Sequence, residues 1–238
     1  MSELRALSFG NAAEHYERGR PVWPGEAVDV AGVPAGSHVL DLGAGTGKLT
    51  RVLVERFARV TAVEPDDAMR ALNRWGDVRA GSAEEIPLAD GSVDAVFAAE
   101  AFHWFGNERA LAEIARVLRP GGTLALMWTQ REEVTPRVEP VDELWERIRA
   151  TEPPGRMEPE AWRAAFAGAP FTALEETSVP FEHRLDYDEY VSFLLSQSTV
   201  TARDPDERAE LAAELERIVL EQDYVLAMCA DVHVARRL

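Results

Sequence analysis

The feature that most constrains this chain is Val39-Leu40-Asp41-Leu42-Gly43-Ala44-Gly45-Thr46-Gly47. The apolar run around Asp41 reads as a buried parallel strand. Three alternate glycines read as a tight turn where backbone passes close to a ligand. Thr50, Val52, Leu53 and Phe57 then begin a helical pattern, so the glycines sit at a strand-to-helix junction. A second apolar run, Val60-Thr61-Ala62-Val63, closes on Glu64. An acid at the end of that strand can accept hydrogen bonds from both ribose hydroxyls of an adenosine.

The glycine spacing narrows the ligand. A dinucleotide fold shows Gly-x-Gly-x-x-Gly over a pyrophosphate. Here the pattern is Gly43-x-Gly45-x-Gly47 behind Asp41, an acidic neighbour that disfavours phosphate. An adenosine carrying a cationic amino-acid tail fits better. In this stretch the chain resembles the class I S-adenosylmethionine-dependent methyltransferases, whose first motif looks like Val39 to Gly47. The resemblance implies S-adenosyl-L-methionine as cofactor and S-adenosyl-L-homocysteine as product.

Apolar runs alternate with helical patterns through the first half. Val78-Arg79-Ala80, Val93–Ala98 and Thr123–Trp128 read as further strands. Before the last of them, Ala110, Leu111, Ile114, Ala115 and Leu118 recur at helical spacing until Pro120-Gly121-Gly122. Repeated β-α units of this length predict an α/β fold, a Rossmann-like, doubly wound, mostly parallel sheet. Residues 131–170 carry charged helical stretches broken by prolines, which reads as an insertion. Leu174–His183 and Tyr224–Val234 read as two late strands, with helices around 187–196 and 205–222. The family resemblance makes these the antiparallel pair that ends a seven-stranded sheet. The expectation is one methyltransferase domain over 1–238, its core approximately 35–130, 171–183 and 224–238. A helical cap would comprise approximately 1–30, 131–170 and 185–222.

The formal net charge of −17 opposes sequence-independent binding to nucleic acid or anionic lipid. No apolar run is long enough to span a bilayer, and the N-terminus lacks a signal-peptide layout. The single cysteine, Cys229, suits a reducing compartment and reads as a small buried hydrophobe. A cytoplasmic protein, monomer or homodimer, acting on a small molecule is expected. Lys48 is the only lysine, which in this alanine-rich, arginine-rich chain reads as codon bias. His15, His38, His183, His233 and Cys229 show no metal-ligand spacing, so no metal is expected.

The segment Ala80 to Leu88 resembles the methyltransferase loop that meets the adenine ring. Many relatives carry Asp where this chain has Ser82, so Ser82, Ala83 and Glu84 are the candidates for that contact. Pro65 and Met69 follow Glu64, and the Met69 thioether can pack on an adenine face. Glu100-Ala101-Phe102-His103-Trp104-Phe105, then Arg116 to Gly122, looks like small-molecule methyltransferases of the trans-aconitate methyltransferase-like group. Phe9, Tyr16, Arg20-Pro21 and Trp23-Pro24 match that group's opening segment, and Ser192 to Ser198 is also similar. The resemblance implies a cofactor site of Tyr16, Arg20, Asp41, Gly43, Ala44, Gly45, Glu64, Pro65, Met69, Ser82, Ala83, Glu84 and Glu100. Arg20 would hold the methionine carboxylate as a bidentate pair.

His103 is the one side chain near the expected transfer point able to accept a proton at neutral pH. It reads either as a base or as pocket wall, with Phe102 and Trp104 lining the substrate pocket. The activity expected is methyl transfer from S-adenosylmethionine to a small acceptor, a carboxylate or hydroxyl oxygen. The alternative is a non-catalytic cofactor-binding module acting through a protein partner.

Overall fold

A computed structural model of the protein describes residues 13–132, 139–151 and 161–238. Phe9 and residues 133–138 and 152–160 of the predicted 131–170 insertion lie outside these residues.

Seven strands form one sheet: β1 (His38–Leu42), β2 (Arg59–Glu64), β3 (Asp77–Ala80), β4 (Val93–Ala99), β5 (Leu118–Arg131), β6 (Glu175–Leu185) and β7 (Tyr224–Arg236). Their order is β3-β2-β1-β4-β5-β7-β6. The first five pair in parallel, and β7 lies antiparallel to both β5 and β6. The Rossmann-like sheet with an antiparallel end read from the sequence is thus present. Central β1 and β2 are buried at nearly every position, as strands covered on both faces must be. Edge strand β6 is mostly exposed and carries Pro180, whose missing N–H an edge tolerates.

The helices, in chain order, are α1 (Ala13–Gly19), α2 (Gly25–Asp29), α3 (Lys48–Val54), α4 (Asp67–Leu72), α5 (Phe102–Phe105), α6 (Glu108–Val117) and α7 (Glu139–Ala150). A 3-10 turn (Ala161–Phe166) precedes α8 (Tyr187–Leu195), α9 (Ser198–Thr201) and α10 (Pro205–Ile218). In α6 the apolar spacing faces Ala110, Leu111, Ile114 and Ala115 into the core, and the Asn107 side chain caps the first turn from Ala110 N. The helix stops at Val117, earlier than the Pro120-Gly121-Gly122 stop predicted, because the chain turns extended at Leu118. None of the helices among the described residues is long and apolar enough to cross a membrane.

Two apolar clusters cover the faces of the sheet. One joins Leu40, Leu42, Phe102, Leu111, Ile114 and Trp162; the other joins Val39, Leu53, Phe57, Phe97, Trp23 and Val28. A third, around Leu144, Tyr190, Leu215 and Tyr224, packs α7, α8 and α10 on the start of β7. Trp23 and α2 join the second of these clusters, and Trp162 packs against Phe102 and Trp128 in the first.

Helix α1 is seated on α8. Gly19 comes so close to the Phe193 amide that a Cβ there would lie 2.1 Å from it. Around that contact the Gly19 carbonyl accepts from His183 Nε2 at 2.8 Å, and Arg18 pairs with Asp188 at 2.8 Å. This seating carries Tyr16 and Arg20 over the carboxyl ends of the strands.

Candidate functional site

The sheet reverses its order between β1 and β4, which opens a cleft at the carboxyl ends of the strands. A cavity of about 370 Å³ occupies that cleft. Its floor is the turn after β1. Gly43, Gly45 and Gly47 all adopt positive φ, at +72°, +55° and +93°. A Cβ on Gly43 would meet Ala101 Cβ at 2.7 Å, and one on Gly47 would meet the Asn73 side chain. Backbone conformation thus favours glycine at all three positions, and close approach requires it also at Gly43 and Gly47.

Glu64, 7% exposed, closes β2 beside this turn. Its Oε2 accepts the Gly45 amide at 2.8 Å and its Oε1 the Asp66 amide at 2.9 Å. Burial raises its pKa, while the Asp66 and Gly45 amides oppose the shift. Each oxygen keeps a second lone pair, which is what a ribose diol needs. Asp41 is buried at the end of β1 and accepts from Thr50 Oγ1 at 2.6 Å. Asn73 Nδ2 donates in turn to Thr50 Oγ1 at 3.0 Å, so the hydroxyl's direction is fixed. Burial pushes the Asp41 carboxyl up to about 7, with Thr50 pulling it back and Glu64 adding to the rise.

The far wall carries Glu100, the non-glycine residue at positive φ (51°) among the described residues. Its Oε1 accepts from Thr129 N and Oγ1, both at 2.7 Å, which holds this unfavourable backbone in place. From above, Tyr16 is pushed up to about 12 by burial; Arg20 opposes the rise, and Glu100, Glu64 and Asp41 add to it. Tyr16 lines the same cavity as these three carboxylates. Pro65, Met69, Ser82, Ala83 and Glu84 line the side beyond Glu64. Glu84 gives one oxygen to Asn107 Nδ2 at 3.1 Å.

All thirteen cofactor-site candidates from the sequence line this one cavity, as do His103 and Trp104. Phe102 does not. It is fully buried in the core against Phe105, Trp162 and Phe166, so its assignment to the substrate pocket is corrected. Phe105 takes its place in the wall, one helical turn on. The sequence reading also missed Trp23, Lys48 and Ser198. Lys48 had a signal, being the only lysine and directly following Gly47; Trp23 and Ser198 reach the cavity only through tertiary packing.

Residues 40–126 match the family model described as a methyltransferase domain. An uncharacterized methyltransferase of Mycobacterium tuberculosis is 44% identical over 197 residues, which cover 81% of this chain and 77% of that protein. The chain belongs to the methyltransferase family. As a methyltransferase it also matches, with a TM-score of 0.66 and 30% identity, a solved structure described as a type II methyltransferase of Anaeromyxobacter dehalogenans. That match covers 92% of this chain and 97% of the other. A malonyl-[acyl-carrier protein] O-methyltransferase of Methylococcus capsulatus is 38% identical over 135 residues, half of this chain and 49% of that protein.

The methyltransferase uses S-adenosylmethionine, and the cavity fits it. A glycine floor that a Cβ would obstruct suits close backbone approach, and the buried Glu64 suits a ribose. Asp41 and Glu100 are acids suited to cationic groups, whereas phosphate would be repelled. Among the described residues, no group of three His, Cys, Asp or Glu side chains is placed to hold a metal ion.

Proposed function

We propose that this methyltransferase methylates an oxygen of a small-molecule acceptor, and that the oxygen belongs to a carboxylate rather than a hydroxyl. The observation that carries this reading is the bond from Trp128 Nε1 to His103 Nδ1, 3.0 Å long. An indole nitrogen only donates. Nδ1 is therefore the unprotonated nitrogen, and the neutral ring carries its proton on Nε2. A hydroxyl acceptor must lose its proton on or before attack, and the lone pair that would take it is occupied by Trp128.

A carboxylate needs no base. His103, in the cavity wall, would then help to position the acceptor rather than take its proton. S-adenosylmethionine supplies a methyl group on a sulfonium. The chain supplies the binding of both reactants, their alignment and the exclusion of water by Trp104 and Phe105. The O-methyltransferase among the relatives supports an oxygen acceptor, and the net charge of −17 argues for a small molecule over nucleic acid.

The test is incubation with methyl-labelled S-adenosylmethionine and a small-molecule extract, followed by mild alkali. A methyl ester releases its label as volatile methanol, which is the outcome expected. Alkali-stable label would replace the carboxylate with a hydroxyl or amine. Absence of transfer despite tight cofactor binding would count against turnover itself.

A further inference from the structure

We propose that Lys48 is the group that binds the carboxylate of the cofactor's amino-acid tail, with Arg20 held beside it by α8. The assignment presupposes S-adenosylmethionine as the cofactor.

Lys48 opens α3 directly after Gly47 and lines the cavity. Its side chain is only 14% exposed. Among the described residues its ion-pair partner is Glu17 on α1, at 3.8 Å, and that carboxylate is itself about half exposed. A desolvated ammonium with one distant, solvated partner is poorly compensated. Burial lowers its pKa, which Glu17 and Glu189 oppose and Arg51 reinforces. An anion arriving in the cavity would supply what Glu17 does not.

Arg20 is differently placed. Its Nε donates to Ser196 Oγ at 3.0 Å, and its Nη2 to the Ser196 carbonyl at 3.2 Å and Gln197 Oε1 at 3.4 Å. The guanidinium also lies over the Tyr16 and Phe193 rings. The Nε–Nη2 edge, one of the faces that grips a carboxylate in bidentate fashion, is thus spent on the end of α8. Both cations bear on His183, whose imidazole is held below its usual pKa by burial, with Lys48 and Arg20 among the causes and the Gly19 carbonyl and Glu189 opposing. Lys48 and Arg20 line the same cavity as the acids Asp41, Glu64 and Glu100. A tail bearing one carboxylate and one ammonium finds partners of both signs there. The ammonium belongs with the acids and the carboxylate with Lys48, whose ion-pair contact among the described residues is the long one to Glu17.

Two binding measurements test this without turnover. Calorimetry compares S-adenosylhomocysteine with its decarboxylated analogue on wild type, Lys48→Met, Lys48→Arg and Arg20→Met. Lys48→Met is expected to weaken S-adenosylhomocysteine by about ten- to hundredfold and the analogue by less than about threefold, with Lys48→Arg recovering most of the loss. Equal losses for both ligands, no loss, or a carboxylate-specific loss confined to Arg20→Met would overturn the assignment.

The second measurement uses wild type alone, so it stands even if Lys48→Met fails to fold. Because Lys48 is the only lysine, an amine-acylating reagent and mass spectrometry read its accessibility directly. S-adenosylhomocysteine should protect it and the decarboxylated analogue should not. Equal protection would mean shielding without a carboxylate contact and would overturn the proposal. If wild type bound neither ligand, the cofactor itself would be in error; binding with Lys48 indifferent would remove Lys48 only.

Discussion

The amide of Gly45 donates to Glu64 Oε2 over 2.8 Å, tying the turn after β1 to the end of β2. The carboxylate is thus part of the turn's structure as well as the proposed ligand for ribose. Replacing it should cost both. Glu64→Ala is expected to lower stability by about 1–3 kcal/mol, because the Gly45 and Asp66 amides lose their acceptor. It should also weaken S-adenosylmethionine by at least about tenfold. Denaturant melts and calorimetry on the same preparation separate the two effects. An unchanged dissociation constant would remove Glu64 from the site.

Gly43 and Gly45 should respond differently to enlargement. Gly43→Ala puts a Cβ 2.7 Å from Ala101 Cβ at a φ of +72°. It should destabilise the fold by at least about 1–2 kcal/mol, the cost of left-handed backbone alone. At Gly45 the nearest obstacle is the movable end of Met69, at 3.3 Å. Gly45→Val should therefore keep more of the fold but abolish cofactor binding, because its branches enter the cavity. Thermal melts with and without cofactor would show a lower melting point in the first case and a lost ligand-induced shift in the second.

Phe102→Ala should behave as a core deletion. The side chain is fully buried among aromatic neighbours, and a loss of about 3–5 kcal/mol is expected. Cofactor affinity, measured where the variant remains folded, should change little.

Asp41 should make cofactor binding pH-dependent. Its folded-state pKa of about 7 lies above the ordinary carboxylate value, because burial disfavours the charge. In the interval from about 4 to 7 the folded protein binds more protons than the unfolded chain, so this group's contribution to stability falls as pH rises. A cationic ligand favours the ionised form. Affinity for S-adenosylmethionine should therefore rise with pH towards 7, with proton release on binding at mildly acidic pH. Calorimetry in buffers of different ionisation enthalpy would detect that release, and Asp41→Asn should abolish it. Thr50→Val removes the hydroxyl that favours the carboxylate and should push the transition to higher pH.

Trp128→Phe keeps an aromatic ring beside Trp162 but removes the indole donor to His103 Nδ1. With saturating cofactor, wild-type single-turnover rates on a carboxylate should be flat through the imidazole range. The variant should acquire a pH dependence and lose acceptor affinity. Nitrogen NMR of the ring provides the direct reading, with Nδ1 unprotonated in wild type. A protonated Nδ1 there would refute the assignment of donor and acceptor.

The elements that came through from sequence share a physical cause. The strand of Val39 to Leu42, the glycine turn and Glu64 are specified locally: two-sided burial demands a continuous apolar run, positive φ demands glycine, and the acid stands at the end of the next strand. The late strands were legible for the same reason, although their antiparallel pairing came from the family resemblance. Positions whose role depends on packing were not legible. Phe102 and Phe105 are both aromatic in one four-residue helix, and no local rule says which faces the core; the Trp162 contact decides it. His103 showed itself as a titratable group near the cleft, but its tautomer is set by Trp128, a residue twenty-five positions away on β5. Lys48 looked like composition until the fold buried its side chain in the cavity with one distant ion-pair partner among the described residues. Sequence by itself determined where the backbone must bend and which runs must be covered, since those are properties of single residues and their neighbours. Only tertiary structure decided which polar atoms meet and which charges are stripped of water, because hydrogen bonds and desolvation depend on side chains brought together from distant parts of the chain.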